Sequence, residues 1–367
     1  MGCTQTDWFS NKEYMRQFNK KVVKQRIPLS GSIDLTHRCN LRCVHCYLGD
    51  KENIRKNGKK ELTTSQWFSI IDQITEAGCL NLLITGGEPL FRKDFAEIYT
   101  HARTNGLLVT VFTNGTMITD SILKLFEELP PNTVEISLYG ATPATYEKIT
   151  GIKGTYEKCL KGIYSLLDHG INLKLKTILM TLNRHEFDDM ENMAKELGVK
   201  YRFDAAIFPC FNGDKTPISL RVSPEEVVEK EFSDDDRSWQ WKDFFDRMQG
   251  YSVSNTLYNC GTGLTSFYIN PYGFLQPCLM VSNLQYDLMK GSFTEGWQDV
   301  IPRIRKRKAG AAYACNKCEK MVLCSFCPGF FELECGAEDV ISEYLCAMGG
   351  LRFQAIQSLR DSIQRPA

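Results

Sequence analysis

The sequence predicts an α/β protein, with parallel strand–helix–strand units from Ser30 to about Ala206 and a cysteine-rich segment after them. Three observations carry this reading. Six short apolar runs alternate with amphipathic helical patterns, the arrangement that forces consecutive strands to pair in parallel. Gly78, Gly106, Gly170 and Gly198 fall where each helix should stop. Of 15 cysteines, ten fall into two groups, Cys39, Cys43 and Cys46, then Cys260, Cys278, Cys315, Cys318, Cys324, Cys327 and Cys346.

Residues 1–29 read as a polar helical extension, with Trp8, Phe9, Tyr14 and Phe18 spaced like one packing face. Strands are expected at Ser32–Leu35, Asn81–Thr85, Leu107–Thr113, Thr133–Leu138, Asn172–Leu179 and Lys200–Ala205. Helices are expected over 64–77, 94–104, 119–129, 155–169 and 185–197, two of them capped by Thr63 or Thr64 and by Thr119. The first unit therefore spans 30–207. Residues 208–257 read as a bridging region, irregular and polar from 210, where Asp234–Asp236 form a solvated face beside Trp239 and Trp241. The cysteine-rich domain occupies 258–347, and a closing helix over about 343–363 leads into the tail at 348–367.

At 43% hydrophobic and 11% aromatic, the 367 residues exclude general disorder and suit two or three domains. With 44 basic and 44 acidic residues, the net charge is zero, so the field used for non-specific nucleic-acid binding is missing. No apolar run approaches the roughly 18 residues of a membrane span, and no signal peptide opens the chain. A cytoplasmic location, without membrane or nucleic-acid partners, is the expectation. Cytosolic thiols stay reduced, so close-spaced cysteines there bind metal more often than they pair.

Cys39, Cys43 and Cys46 stand at i, i+4 and i+7, which is also the stripe of three buried core cysteines. Arg42 and His45 between them oppose that alternative. Three thiolates can hold three irons of a [4Fe–4S] cube and leave the fourth open to a small molecule. Gly86-Gly87-Glu88-Pro89 follows the second strand. Glycines there let the backbone approach a ligand, and an acidic side chain or a carbonyl can accept from an ammonium group. "CNKCEKMVLCSFC", read alone, also fits a zinc knuckle.

Together "CNLRCVHC", "GGEP", "FTNGT" and "ISLYG" resemble the radical S-adenosylmethionine (radical SAM) superfamily over about residues 30–207. The resemblance implies a partial (β/α)6 barrel with a [4Fe–4S] cluster on Cys39, Cys43 and Cys46 at the C-terminal ends of the strands. It puts His45 at an aromatic cofactor position. It sets Gly86, Gly87, Glu88 and Pro89 against the methionyl amine, and makes Asn114 and Ser137 candidates for the ribose or carboxylate. It implies reductive cleavage of S-adenosylmethionine to methionine and a 5′-deoxyadenosyl radical, fed by a reductant such as flavodoxin or ferredoxin.

The second cysteine group resembles the SPASM domain, which binds two auxiliary iron–sulfur clusters, both [4Fe–4S] in type by that analogy. By the same analogy Cys315, Cys318, Cys324 and Cys346 hold the outer cluster, and Cys260, Cys278 and Cys327 the inner one. Seven thiolates serve two cubes needing eight, so Cys335 or Cys210 supplies the last, or an iron stays open, or the cluster is smaller. Enzymes of this kind mostly modify peptides, and with about 30 residues before the barrel any leader sequence needs a separate binding protein or the barrel face. Leu279 stands where sulfatase maturases carry Asp, which disfavours formylglycine formation. A tetrapyrrole-modifying enzyme, using the basic run Arg303–Lys308, and an Fe–S electron-transfer protein are the alternatives. Asp204, Tyr139 and Asp214 are candidate bases, with no catalytic residue assigned.

Overall fold

A computed structural model describes residues 10–49, 51–248, 256–310 and 313–364. The chain runs through α1 (Asn11–Gln25), β1 (Ser30–Asp34), α2 (Lys51–Asn57), α3 (Thr64–Glu76), β2 (Asn81–Thr85), α4 (Phe95–Thr104) and β3 (Leu108–Thr113). It continues through α5 (Asp120–Glu128), β4 (Thr133–Ser137), α6 (Pro143–Thr150), α7 (Thr155–Asp168), β5 (Leu173–Ile178), α8 (Phe187–Glu196) and β6 (Lys200–Asp204). Then come α9 (Pro224–Phe232), α10 (Asp235–Met248), β7 (Ser266–Ile269), β8 (Phe274–Gln276), β9 (Tyr286–Asp287), the single turn α11 (Phe293–Glu295), α12 (Pro328–Cys335) and α13 (Glu343–Gln364).

One nine-stranded sheet has the order β6-β5-β4-β3-β2-β1-β7-β8-β9. Pairing is parallel from β6 through to β7 and antiparallel from β7 to β9. The first six strands follow chain order with a helix after each of the first five, the pattern of an open (β/α)6 barrel. Side chains alternate across it. Ile33, Ile84, Val111, Ile136 and Leu175 are buried against Trp67, Ile71, Ile98, Phe126 and Ile163 of the surrounding helices. Asp34, Thr85, Phe112, Ser137, Lys176 and Arg202 face the opposite way, into an interior cavity.

Three expectations change. Residues 210–257 are not irregular throughout, because α9 and α10 occupy much of them. Ser223 caps α9 by accepting from Glu226 N, Pro224 opens it, and Val227 and Val228 are buried. Asp234 accepts from Arg237 N at 3.0 Å, so the acidic run marks the start of α10, where negative charge suits the helix dipole. In α1, Tyr14 is exposed, Phe18 is half-buried and Val22 is buried, so Tyr14 does not join the expected packing face; Trp8 and Phe9 lie outside the described residues. The cysteine-rich region also begins as a continuation of the first unit, since β7 pairs along β1 from Ser30↔Ser266 to Ile33↔Ile269. No helix among the described residues is long and apolar enough to cross a membrane.

Candidate functional site

The loop after β1 carries Cys39, Cys43 and Cys46, and backbone hydrogen bonds tie it down on two sides. Gly87 N donates to Thr36 O at 2.7 Å and Glu88 N to Arg38 O at 3.0 Å. Across the loop, Arg42 N donates to Thr150 O and Val44 N to Ile149 O at the end of α6. The two glycines permit the first contact. A Cβ on Gly86, whose φ is +139°, would lie 2.2 Å from Thr36 O, and one on Gly87 would lie 2.5 Å from His37 O. The close approach they allow is thus to the cysteine loop as well as to the cavity that they line.

That cavity, of about 380 Å³, brings together Cys39, Cys43, Cys46, His45, Gly86, Gly87, Asn114 and Ser137. Burial pushes the Cys39 thiol up to about 11 and raises Cys43 further, with the nearby Cys46 adding to both shifts. Lys51 Nζ donates to Cys46 Sγ at 3.2 Å. Buried thiols held protonated in this way release their protons when they ligate a metal. His45 packs edge-on against Tyr139 with ring centres 4.6 Å apart, and burial lowers its pKa to about 4, so the ring is neutral. Asn114 Nδ2 donates to Asn40 Oδ1 at 2.9 Å while its Oδ1 accepts from Thr116 N, which joins the β3 turn to the cysteine loop.

Glu88 and Pro89 do not line this cavity. The Glu88 carboxylate turns away into the protein, accepting from Thr113 Oγ1 and Asn114 N, both at 2.7 Å, and from Leu90 N at 3.1 Å. Of the two acceptors expected in this motif, the backbone carbonyls remain and the carboxylate becomes a strut. Pro89 is buried at the start of a short turn that Glu88 caps. Among the candidate bases, Asp204 and Tyr139 line the cavity. Asp214 does not; it closes an exposed turn by accepting from Thr216 N and Oγ1.

Asp34, Lys176 and Arg202 also line the cavity, though no motif marks them in the sequence. Asp34 is 1% exposed, with Oδ2 accepting from Tyr268 Oη of β7 at 2.8 Å and Oδ1 without a hydrogen-bond partner. Lys176 lies 3.1 Å over the Phe112 ring; burial, then Arg202, lowers its pKa to about 7. Arg202 pairs with Glu135 at 2.7 Å. The signal for Lys176 and Arg202 is a charge repeating at period two in LKLKTI and KYRFD, whereas Asp34 is a lone charge in its strand.

The seven cysteines of the second group fall into two spatial sets. Cys324 lies within electrostatic reach of Cys315, Cys318 and Cys346, while Cys327 lies within reach of Cys278 and Cys260. Cys335 and Cys210 join neither set: Cys335 Sγ donates to Ile341 O and Cys210 Sγ to Cys46 O. Among the described residues no group of three or more His, Cys, Asp or Glu converges on a single metal ion. A cube offers each thiolate a different iron, so its ligands need not converge on one point. Of the basic run, Arg305 holds Cys260 O and Arg307 pairs with Glu338, so both serve the local structure.

Residues 33–197 match the Radical SAM superfamily. The chain is similar to the Fe-coproporphyrin III synthase of Methanosarcina barkeri, 34% identical over 157 residues that cover 43% of this chain and 38% of that protein. It is similar to the PqqA peptide cyclase of Ruegeria pomeroyi, 32% identical over 177 residues, 47% of this chain and 46% of that one. Native anSMEcpe with bound AdoMet and Cp18Cys peptide shares the fold, with a TM-score of 0.70 at 16% identity over 92% of this chain and 99% of that one. The chain spans less than two thirds of the length of the first curated relatives it matches, 38%, 57% and 63%.

Proposed function

Residues 33–197 of this chain are a radical SAM domain, and on that premise we propose that it cleaves S-adenosylmethionine reductively and takes a hydrogen atom from a peptide, leaving a crosslink or similar oxidation. One observation carries the reading: the cysteine loop and the Gly86-Gly87 turn meet at a single cavity. The donors fit the group, since three soft thiols face a space also lined by backbone able to receive an ammonium group. When bound, the reduced cluster supplies the electron that splits the sulfonium, giving methionine and the hydrogen-abstracting 5′-deoxyadenosyl radical.

Cys39, Cys43 and Cys46 are the proposed ligands, and Gly86 and Gly87 receive the methionyl amine through their backbone. Neutral His45, Asn114 and Ser137 border the rest of the cofactor. Glu88, from behind, fixes the β3 turn that presents Asn114. Cys315, Cys318, Cys324 and Cys346 would hold an outer auxiliary cluster and Cys260, Cys278 and Cys327 an inner one, groups that would supply an acceptor for the substrate's second electron. A peptide substrate is supported by the likeness to a peptide cyclase and by a cavity that sets Asp34 and Asp204 among Lys176 and Arg202, groups of both signs suited to backbone amides. The similarity to Fe-coproporphyrin III synthase supports a second reading, in which Lys176 and Arg202 meet the carboxylates of a tetrapyrrole.

The test is anaerobic reconstitution and assay with dithionite. The wild type forms 5′-deoxyadenosine and Cys43→Ala forms none; undiminished cleavage by the variant sinks the assignment. Iron near 12 per chain supports three cubes, whereas about 4 refutes the auxiliary pair. Co-expression with a short peptide encoded beside the gene should give a product lighter by two hydrogens, and an oxidised tetrapyrrole in its place would favour the second reading.

A further inference from the structure

We infer that the cavity carries a subsite for a carboxylate of the peptide substrate, built by Lys176 and Arg202 with Ser137 beside them. The inference deepens the proposed peptide reading and rests on it.

The subsite follows from strand register. Ser137 of β4 pairs with Lys176 of β5, and Lys176 with Arg202 of β6, so the three stand in one row across neighbouring strands. Residues paired in this way share a face of the sheet, and all three line the cavity. Two of them are cations, and Glu135 answers only one. Arg202 donates to Glu135 Oε2 from Nε at 3.0 Å and from Nη2 at 2.7 Å. The Lys176 ammonium lies 3.1 Å over the Phe112 ring and makes no hydrogen bond or ion pair among the described residues.

The cavity's own acids do not fill the gap. Asp34 accepts from Tyr268 Oη and Asp204 from Ala206 N, both at 2.8 Å, while Glu88 is held by Thr113, Asn114 and Leu90. An unpaired charge out of water is costly, and burial, then Arg202, accordingly lowers the Lys176 pKa to about 7. A carboxylate meets this row well, since its oxygens accept from an ammonium, a guanidinium and a hydroxyl at once.

The substrate is the source of that carboxylate. The cation beside the cysteine loop, where the cofactor is proposed to bind, is Lys51, within reach of Cys39 and Cys43. Lys176 stands four strands from β1 in the sheet order. Arg202 also lines a second cavity of about 860 Å³ between β6, α8 and α10, walled in part by Tyr201, Phe203, Trp241 and Phe244. A chain lying there passes a carboxylate inward past Arg202, from an Asp or Glu side chain or from its own C-terminus.

The experiment uses the full chain, anaerobically reconstituted and saturated with S-adenosylmethionine. The probes are N-acetyl-L-glutamic acid α-amide, with a side-chain carboxylate, and N-acetyl-L-alanine, with a chain-end one; N-acetyl-L-glutamine amide is the neutral control. Calorimetry at pH 8, in two buffers of different ionisation enthalpy, reads affinity and proton uptake together. One carboxylate probe should bind at least about tenfold tighter than the control, and the tighter probe names the source. Its binding should draw in up to about one proton, because a bound carboxylate raises the pKa of Lys176. Lys176→Met should lose the uptake and about tenfold in affinity, whereas Lys176→Arg should keep the affinity and lose the uptake. Equal affinity for probes and control, or carboxylate binding without proton uptake in wild type, overturns the inference whether or not the variants fold. So does a Lys176→Met variant that no longer binds S-adenosylmethionine, which would give the ammonium to the cofactor. A tetracarboxylic porphyrin that binds through Lys176 when neither probe does strikes at the peptide reading instead.

Discussion

Glu88, fully buried, stands behind the cavity with three donors converging on its carboxylate, and burial pushes its pKa up to about 7. Removing it leaves Thr113 Oγ1, Asn114 N and Leu90 N without an acceptor, at about 1–3 kcal/mol for each buried group left unmet. Glu88→Ala should therefore lower the unfolding midpoint measurably, and should also weaken S-adenosylmethionine binding, read by calorimetry, because Asn114 loses its anchor. Lys176 makes a pH prediction. Its folded pKa of about 7 lies below the ordinary 10.5, so the unfolded chain holds the extra proton between those values. Stability from this group is present above about 10.5 and is lost as pH falls through 7. Wild type should thus gain stability relative to Lys176→Met between pH 7 and pH 9 in denaturant titrations; a flat difference refutes the assignment. The cysteines and glycines were legible residue by residue because their spacing is local. The direction of the Glu88 side chain was not, since it depends on where the β3 turn lies.

Among the elements, β1 is held between β2 and β7, and Gly31 allows the second contact. A Cβ there would come 2.2 Å from the Phe267 ring. Gly31→Ala should destabilise by about 1–3 kcal/mol through overpacking, and Phe267→Leu in the same chain should recover part of the lost melting temperature. The expected strands and the five expected helices of the first unit all appear, with ends shifted by a residue or two, because caps and helix-stopping glycines act over a few residues. α6 was overlooked although Thr142 and Pro143 mark its start. α9 and α10 were overlooked for a different reason. Their polar faces outweigh their apolar ones in the sequence, and they are stabilised by what covers them, such as Phe353 of α13 against Phe245 at 5.7 Å.

Across the whole molecule, the C-terminal region is joined to the barrel by the shared sheet, and α13 is joined to α9 by a buried ion pair. Arg352 of α13 meets both carboxylate oxygens of Glu231 on α9 at 2.7 Å and donates to Leu323 O, next to Cys324. Arg352→Ala strands a buried carboxylate, at a cost of about 3–5 kcal/mol. The variant should lose iron from the cysteine-rich region before the barrel unfolds, visible as a lower iron content with 5′-deoxyadenosine formation retained. Unchanged iron at a reduced melting temperature would show that the pair supports the helices alone.

The sequence by itself determined the α/β class, the six strand–helix repeats and the two cysteine groups, because each is written in short-range spacing and periodicity. Only the tertiary structure decided that β7 extends the sheet, that Asp34, Lys176 and Arg202 share the cavity, that the Glu88 carboxylate faces away from it, and that Cys210 and Cys335 stand apart from the inner set. These depend on contacts between residues tens to hundreds of positions apart, which packing selects and no local pattern records.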